Sequence, residues 1–157
     1  MSTEPQVVVV DSPHRDSAAA RGAAADFLQQ HCPWADLDAV LLVVSELVTN
    51  AIRHTSGWWR LHLTEENGTL TVKMDDSSPR LPVARQPDFA GGGGFGWHMV
   101  LRLAGHVEIS PLPEGKRVQA VWRRQAAPDR LPVRGGEVAP SARGAGRAAS
   151  GACVARR

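Results

Sequence analysis

The sequence lacks the features of membrane and secreted proteins. None of its 157 residues lies in an uninterrupted apolar run of about 18 residues, the minimum for a membrane-spanning helix. Its first residues, MSTEPQVVVVDSP, contain neither the basic segment nor the long apolar core of a secretory signal. These absences predict no membrane association and a location in the cytoplasm.

Cysteine is also scarce. Cys32 and Cys153 are the two cysteines, and they lie far apart without the spacing of metal ligands. This pattern argues against a disulfide scaffold and against a zinc site, and it is typical of a reducing compartment.

The formal net charge of +2 conceals two segments of opposite sign. Residues 125–157 contain six arginines and two acidic side chains, a net of +4, which leaves −2 for residues 1–124. The basic segment is mostly Ala, Gly, Arg, Pro and Ser, a composition that cannot bury enough apolar surface to fold. We therefore predict a folded domain over 1–124 and a disordered tail over 125–157. Because the folded part is slightly acidic, its charge does not favour nucleic acid as a partner.

Hydrophobic spacing predicts a strand, two helices, a hairpin, a long irregular segment, a third helix and a second hairpin. The helices are predicted at 17–31, 36–54 and 95–104, and the strands at 6–10, 58–64, 70–76, 106–110 and 117–122. Short turns between neighbouring strands make a mostly antiparallel sheet. The fold class predicted is therefore α+β, an α/β two-layer sandwich with the three helices on one face, rather than a doubly wound sheet.

The second helix carries the first candidate site residues. Glu46, Asn50 and Arg53 are spaced so that they share one stripe, opposite the apolar face of this helix. Such a stripe is either an ordinary solvated surface or the polar wall of a binding site.

Asp75 and Asp76 end the strand predicted at 70–76. Asp76 has the same parity as the apolar residues of this strand and so faces the core, whereas Asp75 faces the other way with Lys73. A buried carboxylate needs a partner, because burying an unpaired charge is costly. The alternative is a turn-initiating aspartate, since Asp-Ser-Ser-Pro is also good turn chemistry.

A glycine-rich run, residues 91–96, leads directly into the third predicted helix. Glycines allow a backbone to approach a ligand closely, and a helix N-terminus favours phosphate. The run alone is equally consistent with a flexible hinge. Together with the polar stripe of the second helix and the inward Asp76, however, it indicates a nucleotide pocket.

Four segments resemble the motifs of the GHKL ATPases, the Bergerat-fold superfamily of gyrase, Hsp90, histidine kinases and MutL. Residues 46–54, ELVTNAIRH, resemble the N box, and residues 76–82, which start with Asp-Ser-Ser-Pro, a degenerate first glycine box. Residues 94–100, GFGWHMV, resemble the second glycine box, and residues 115–120, GKRVQA, the final strand motif. The group that the chain resembles most is the short single-domain anti-sigma factor serine/threonine kinases.

The resemblance implies a role for each matching residue. Asn50 corresponds to the asparagine that holds Mg²⁺, and Glu46 to the general base. Asp76 corresponds to the aspartate that accepts a hydrogen bond from the adenine amino group. Gly94 and Gly96 correspond to the backbone cradle for the phosphates.

Further positions follow from the same resemblance. Residues 79–93 correspond to the lid over ATP. Arg53 and His54, at the end of the N-box helix, are either close to the phosphates or part of the plain surface. Phe95 replaces an arginine of many relatives, and Arg117 replaces a threonine near the adenine pocket.

The function implied is that of a regulator that binds ATP and Mg²⁺, sequesters a sigma factor and phosphorylates an anti-sigma antagonist on serine. Phe95 and Arg117 favour the alternative, a non-catalytic ATP-binding module that acts through protein–protein interaction. A detached histidine-kinase catalytic domain is a third interpretation. The sequence leaves the oligomeric state open, with a homodimer as one possibility.

Overall fold

The computed structural model describes residues 4–12, 16–82 and 95–126, and these residues form five strands and three helices. The strands are β1 (Gln6–Asp11), β2 (Trp59–Glu66), β3 (Thr69–Asp76), β4 (His106–Leu112) and β5 (Gly115–Arg123), and the helices are α1 (Ser17–His31), α2 (Leu37–His54) and α3 (Phe95–Leu103). This element order confirms the order predicted from the sequence. Across the described ranges, the helices are too short or too polar to cross a membrane.

The five strands form one sheet in the order β1-β2-β3-β5-β4, and each of the four pairings is antiparallel. The predicted α+β class is confirmed. The turn between β2 and β3 is the Asn67-Gly68 pair, whose φ angles of 51° and 74° are both positive. Positive φ at both central residues is what a two-residue hairpin turn of type I′ requires. β3 lies in the middle of the sheet, between β2 and β5.

Aspartates begin the two longer helices. Asp16 accepts a hydrogen bond from the backbone N–H of Ala19 at 2.8 Å, and Asp36 accepts one from Ala39 at 3.1 Å. Each satisfies a donor that the first helical turn leaves free. The Asp36 cap agrees with the start predicted for this helix.

One hydrophobic core lies between the helices and one face of the sheet. Strand alternation supplies its sheet side, and α2 its largest helical share. The buried sheet residues are Val10, Trp59, Leu61, Leu63, Leu70, Val72, Met74, Val118 and Ala120, and those of α2 are Val40, Leu41, Val43, Val44, Leu47, Val48 and Ala51. We call this the helix-covered face and the opposite one the open face. The open face is mostly polar, although Val7 and Val9 of the edge strand β1 are exposed on it.

Several predictions lie outside the described residues. They include most of the lid (83–93), Gly94 and nearly all of the tail (127–157). The boundary between domain and tail therefore stays a prediction. Cys153 belongs to the same undescribed tail, whereas Cys32 is in the core, where burial raises the pKa of its thiol to about 11.

Candidate nucleotide site

The C-terminal end of α2 is fixed to the end of β3. Thr55 ends the helix, with its N–H donating to the Ala51 carbonyl at 3.0 Å, and its hydroxyl hydrogen-bonds the hydroxyl of Ser77. The Ser77 N–H in turn donates to the Trp58 carbonyl at 3.0 Å. Gly57 allows this close approach, because a Cβ there would lie 3.0 Å from the Cβ of Ser77. The helix that carries Glu46 and Asn50 is thus held beside the strand end that carries Asp76.

The polar stripe of α2 divides into two parts. Glu46 and Asn50 are half-buried, whereas Arg53 and His54 are exposed. Only the C-terminal part of the stripe is therefore an ordinary solvated surface. The carboxylate of Glu46 lies where α2 packs against α3.

Glu46 lies against the first turn of α3. A Cβ on Gly96 would lie 2.6 Å from the Glu46 carboxyl carbon and 3.3 Å from its Cγ. A larger residue at position 96 would therefore displace the carboxylate. This contact brings together two of the residues predicted to form the site, the glycine of the phosphate cradle and the proposed base.

Asp76 is buried on the helix-covered face, as its strand parity predicted, and its partner is Lys116. The Lys116 ammonium donates to both Asp76 carboxylate oxygens at 2.8 Å and to the Ser78 carbonyl at 3.1 Å. Asp76 Oδ1 also accepts from the Ser78 N–H at 2.8 Å, which is the predicted turn chemistry. Asp76 is therefore both a paired inward carboxylate and a turn residue.

Sequence reasoning did not identify Lys116. The signal was present, because Lys116 has the parity of the buried Val118 and Ala120 in β5 and is thus a lysine at an inward position. Its partner followed only from the pairing of β3 with β5, which places Lys116 directly across from Asp76. These strands are not neighbours in the sequence, so the pairing was not evident.

Arg117 requires a correction. It was expected near the adenine pocket, but it lies on the open face, where its Nε and one terminal nitrogen each donate to Asp75 at 2.7 Å. Strand alternation explains the difference, because Arg117 is paired across the sheet with Asp75, one residue from the pair that faces the helices. The hydrogen bonds from Arg117 to Asp75 raise the pKa of Arg117 above its ordinary value.

The chemistry of these residues suits Mg²⁺ bound together with phosphate. Among the described residues, no group of three or more His, Cys, Asp and Glu side chains is arranged to hold a metal. Mg²⁺ commonly takes one or two protein oxygens and completes its shell with phosphate and water. A single half-buried asparagine fits that requirement. A self-contained metal site is not formed by this part of the chain.

Comparison with known proteins agrees with this geometry. The family model described as the histidine kinase-like ATPase domain matches residues 11–122. The crystal structure of the RsbU and RsbW domains of Rv1364c from Mycobacterium tuberculosis is similar at a TM-score of 0.51 and 16% identity. That match covers 77% of this chain and 32% of the other, so this chain spans about a third of that protein and shares its fold. No curated protein matches the sequence.

Proposed function

The chain belongs to the histidine kinase-like ATPase family of the GHKL superfamily, and from this premise we propose that it binds ATP with Mg²⁺. The binding site would lie between α2, the first turn of α3 and the adjoining ends of β3 and β5. The observation that carries the proposal is the buried Asp76 at the end of β3, beside the helix that bears Glu46 and Asn50.

Each site residue has a role under this proposal. The Asp76 carboxylate accepts a hydrogen bond from the adenine amino group and disfavours guanine, whose carbonyl oxygen at that position is an acceptor. The Asn50 carboxamide oxygen binds Mg²⁺, which neutralises phosphate charge when bound. The backbone at Gly94 and Gly96 contacts the phosphates.

We further propose that the protein is a serine kinase of an anti-sigma antagonist and that it also sequesters a sigma factor. ATP is the phosphate donor. Glu46 accepts the proton of the serine hydroxyl as its oxygen attacks the γ-phosphorus, and ADP leaves. Sequestration and phosphorylation of two partners require that the nucleotide state favour one complex over the other.

The base-binding role of Asp76 is tested by nucleotide selectivity. We expect Asp76→Asn to reduce the preference for Mg-ATP over Mg-GTP by about 10- to 100-fold, since a hydrogen bond to a charged group is replaced by an ambivalent amide. Calorimetric titration of both nucleotides gives the ratio of the two dissociation constants.

Asp75→Asn is the matched control. Asp75 is the preceding residue and is also buried, but it faces the opposite side of the sheet. We expect it to retain the preference of the unmodified chain. Equal ratios for Asp76→Asn and the unmodified chain would place the base elsewhere.

The kinase role is tested by transfer of labelled γ-phosphate to antagonist-type proteins of the same genome. We expect Glu46→Gln to abolish transfer while Mg-ATP still binds. Retained transfer in this variant would exclude Glu46 as the base.

The second candidate function is a non-catalytic ATP-binding module. Phe95 favours it, because many relatives carry an arginine there and the chain therefore lacks a cationic side chain for the phosphates at this position. ATP binding without transfer to any antagonist-type protein would support this candidate over the kinase.

A further inference from the structure

The buried Lys116–Asp76 ion pair occupies the carboxylate that the proposed function assigns to adenine. The side chains of Lys116 and Asp76 are 7% and 3% exposed, so both charged groups are almost completely shielded from solvent. The ammonium nitrogen lies 2.8 Å from each carboxylate oxygen.

The hydrogen-bonding capacity of the ammonium is fully used. Lys116 has three N–H donors, and its three acceptors are the two Asp76 oxygens and the Ser78 carbonyl. Asp76 Oδ1 additionally receives the Ser78 N–H. A nucleobase that approaches Asp76 therefore meets a carboxylate that already accepts three hydrogen bonds. Oδ1 accepts from both Lys116 and Ser78, and Oδ2 accepts from Lys116.

The backbone next to Lys116 packs closely against the end of β3, and Lys116 itself is paired with Asp76 in the sheet. Gly115 has a φ of +143°, and a Cβ there would lie 2.8 Å from the Asp76 carbonyl carbon and 2.9 Å from the Ser77 Cα. The start of β5 is thus packed directly on the end of β3. Rotation of the Lys116 side chain would withdraw the ammonium while the pairing of the two strands is kept.

We propose that Lys116 is an internal competitor of the nucleotide, an autoinhibitory contact that the adenine amino group must displace from Asp76. The proposal rests on the proposed function, since it takes Asp76 to be the adenine acceptor. Binding exchanges an ion pair for a hydrogen bond from a neutral amino group to the same carboxylate, so the attraction between the two opposite charges is lost. Lys116 therefore lowers the affinity of the site for ATP, and ATP binding is coupled to release of the lysine.

The test compares Mg-ATP affinity in Lys116→Met with that of the unmodified chain by calorimetric titration. Methionine matches the length of most of the lysine side chain and leaves Asp76 without its cation. We expect the dissociation constant to fall about tenfold or more, because the competing charge-assisted bond is gone. An unchanged or weaker affinity would overturn the proposal and would indicate that Lys116 supports the nucleotide.

Arg117→Met is the matched control. It removes the neighbouring cation, which pairs with Asp75 on the open face. We expect its affinity for Mg-ATP to stay within about twofold of the unmodified chain. An equal gain in both variants would contradict a specific role for Lys116.

A measurement on the unmodified chain keeps the proposal falsifiable if Lys116→Met does not fold. The buried ammonium, protected from exchange, should give a side-chain ¹H–¹⁵N signal, assigned with the more conservative variant Lys116→Gln. We expect Mg-ATP to abolish this signal, because a displaced ammonium exchanges its protons with solvent. Persistence of the signal at saturation would overturn the competition while leaving ATP binding intact, whereas absence of Mg-ATP binding in every folded variant would overturn the proposed function.

Discussion

Asp75 and Asp76 are consecutive residues, yet strand alternation sends their carboxylates to opposite faces of the sheet. Each meets a cation from β5, Arg117 on the open face and Lys116 on the helix-covered face. The same residue type therefore occupies two environments: Asp76 is paired with a buried lysine under the helices, and Asp75 is paired with a partly exposed arginine on the open face.

The Asp75–Arg117 pair should contribute measurably to stability. Its geometry is bidentate, at 2.7 Å for both bonds, and the Asp75 side chain is 10% exposed. We expect Arg117→Ala to lower the free energy of unfolding by about 1–2 kcal/mol, with the arginine's 36% exposure limiting the effect.

A double-mutant cycle with Asp75→Ala isolates the interaction energy between Asp75 and Arg117, with the free energy of unfolding of each variant measured by urea denaturation. We expect the double variant to lose less stability than the sum of the single variants, because each single variant leaves one charge unpaired. Strict additivity would show that the pair contributes nothing beyond its separate side chains.

At the scale of elements, two glycines occupy contrasting positions. Gly68 forms the β2–β3 turn with a φ of +74°, whereas Gly22 is exposed inside α1, where an added Cβ would meet no atom within 4 Å. The first needs glycine for its backbone conformation, and the second does not.

Alanine at these two positions should have opposite effects. We expect Gly68→Ala to destabilise the protein by about 1 kcal/mol, since an L residue is strained at that φ. We expect Gly22→Ala to stabilise it by about 0.5–1 kcal/mol, through helix propensity and a less flexible unfolded chain. Thermal unfolding of both variants measures the difference, and effects of the same sign would contradict the turn assignment.

The elements were predictable because each had a local signal. Hydrophobic periodicity defined α2, the Asp36 cap marked its start, and Asn67-Gly68 marked the hairpin. The inward orientation of Asp76 followed from strand parity alone. The partner of Asp76 was not predictable in the same way, because it depends on which strand pairs with the free edge of the β2–β3 hairpin, and that is decided by tertiary packing.

At the scale of the whole molecule, the buried Cys32 and the partly buried His62 make stability depend on pH in opposite directions. Burial raises the pKa of Cys32 to about 11 from an ordinary value of 9.0. Burial also lowers the pKa of His62 below its ordinary value of 6.5, against the opposing effect of Asp75.

On the alkaline side, the native state keeps the Cys32 proton after the unfolded chain has lost it. Stability should therefore fall from about pH 9 to pH 11, by up to about 3 kcal/mol. The chain has no tyrosine to titrate in this range. Chemical denaturation at several pH values measures the fall, and Cys32→Ala should flatten it; an unchanged slope would show that another group is responsible.

On the acid side, His62 takes up a proton at a higher pH in the unfolded chain than in the native protein, because its pKa is lowered by folding. Stability should accordingly fall as the pH drops below about 6.5. His62→Gln should reduce this loss relative to the unmodified chain in the same denaturation series, and an identical acid slope would contradict the assignment.

The two adjacent ion pairs between β3 and β5 also have a consequence for how the chain folds. A slip of β5 by one residue would place Arg117 opposite Asp76 and turn the apolar side chains of β5 away from the core. A slip of two residues would keep every side chain on its face, but it would put Val118 opposite Asp76 and Gln119 opposite Asp75, leaving both carboxylates without a cation. The loss of both ion pairs thus disfavours, during folding, misaligned sheets that hydrophobic burial alone would allow. The two ion pairs thus select, before any ligand is present, the one strand alignment in which Lys116 meets Asp76 and Arg117 meets Asp75.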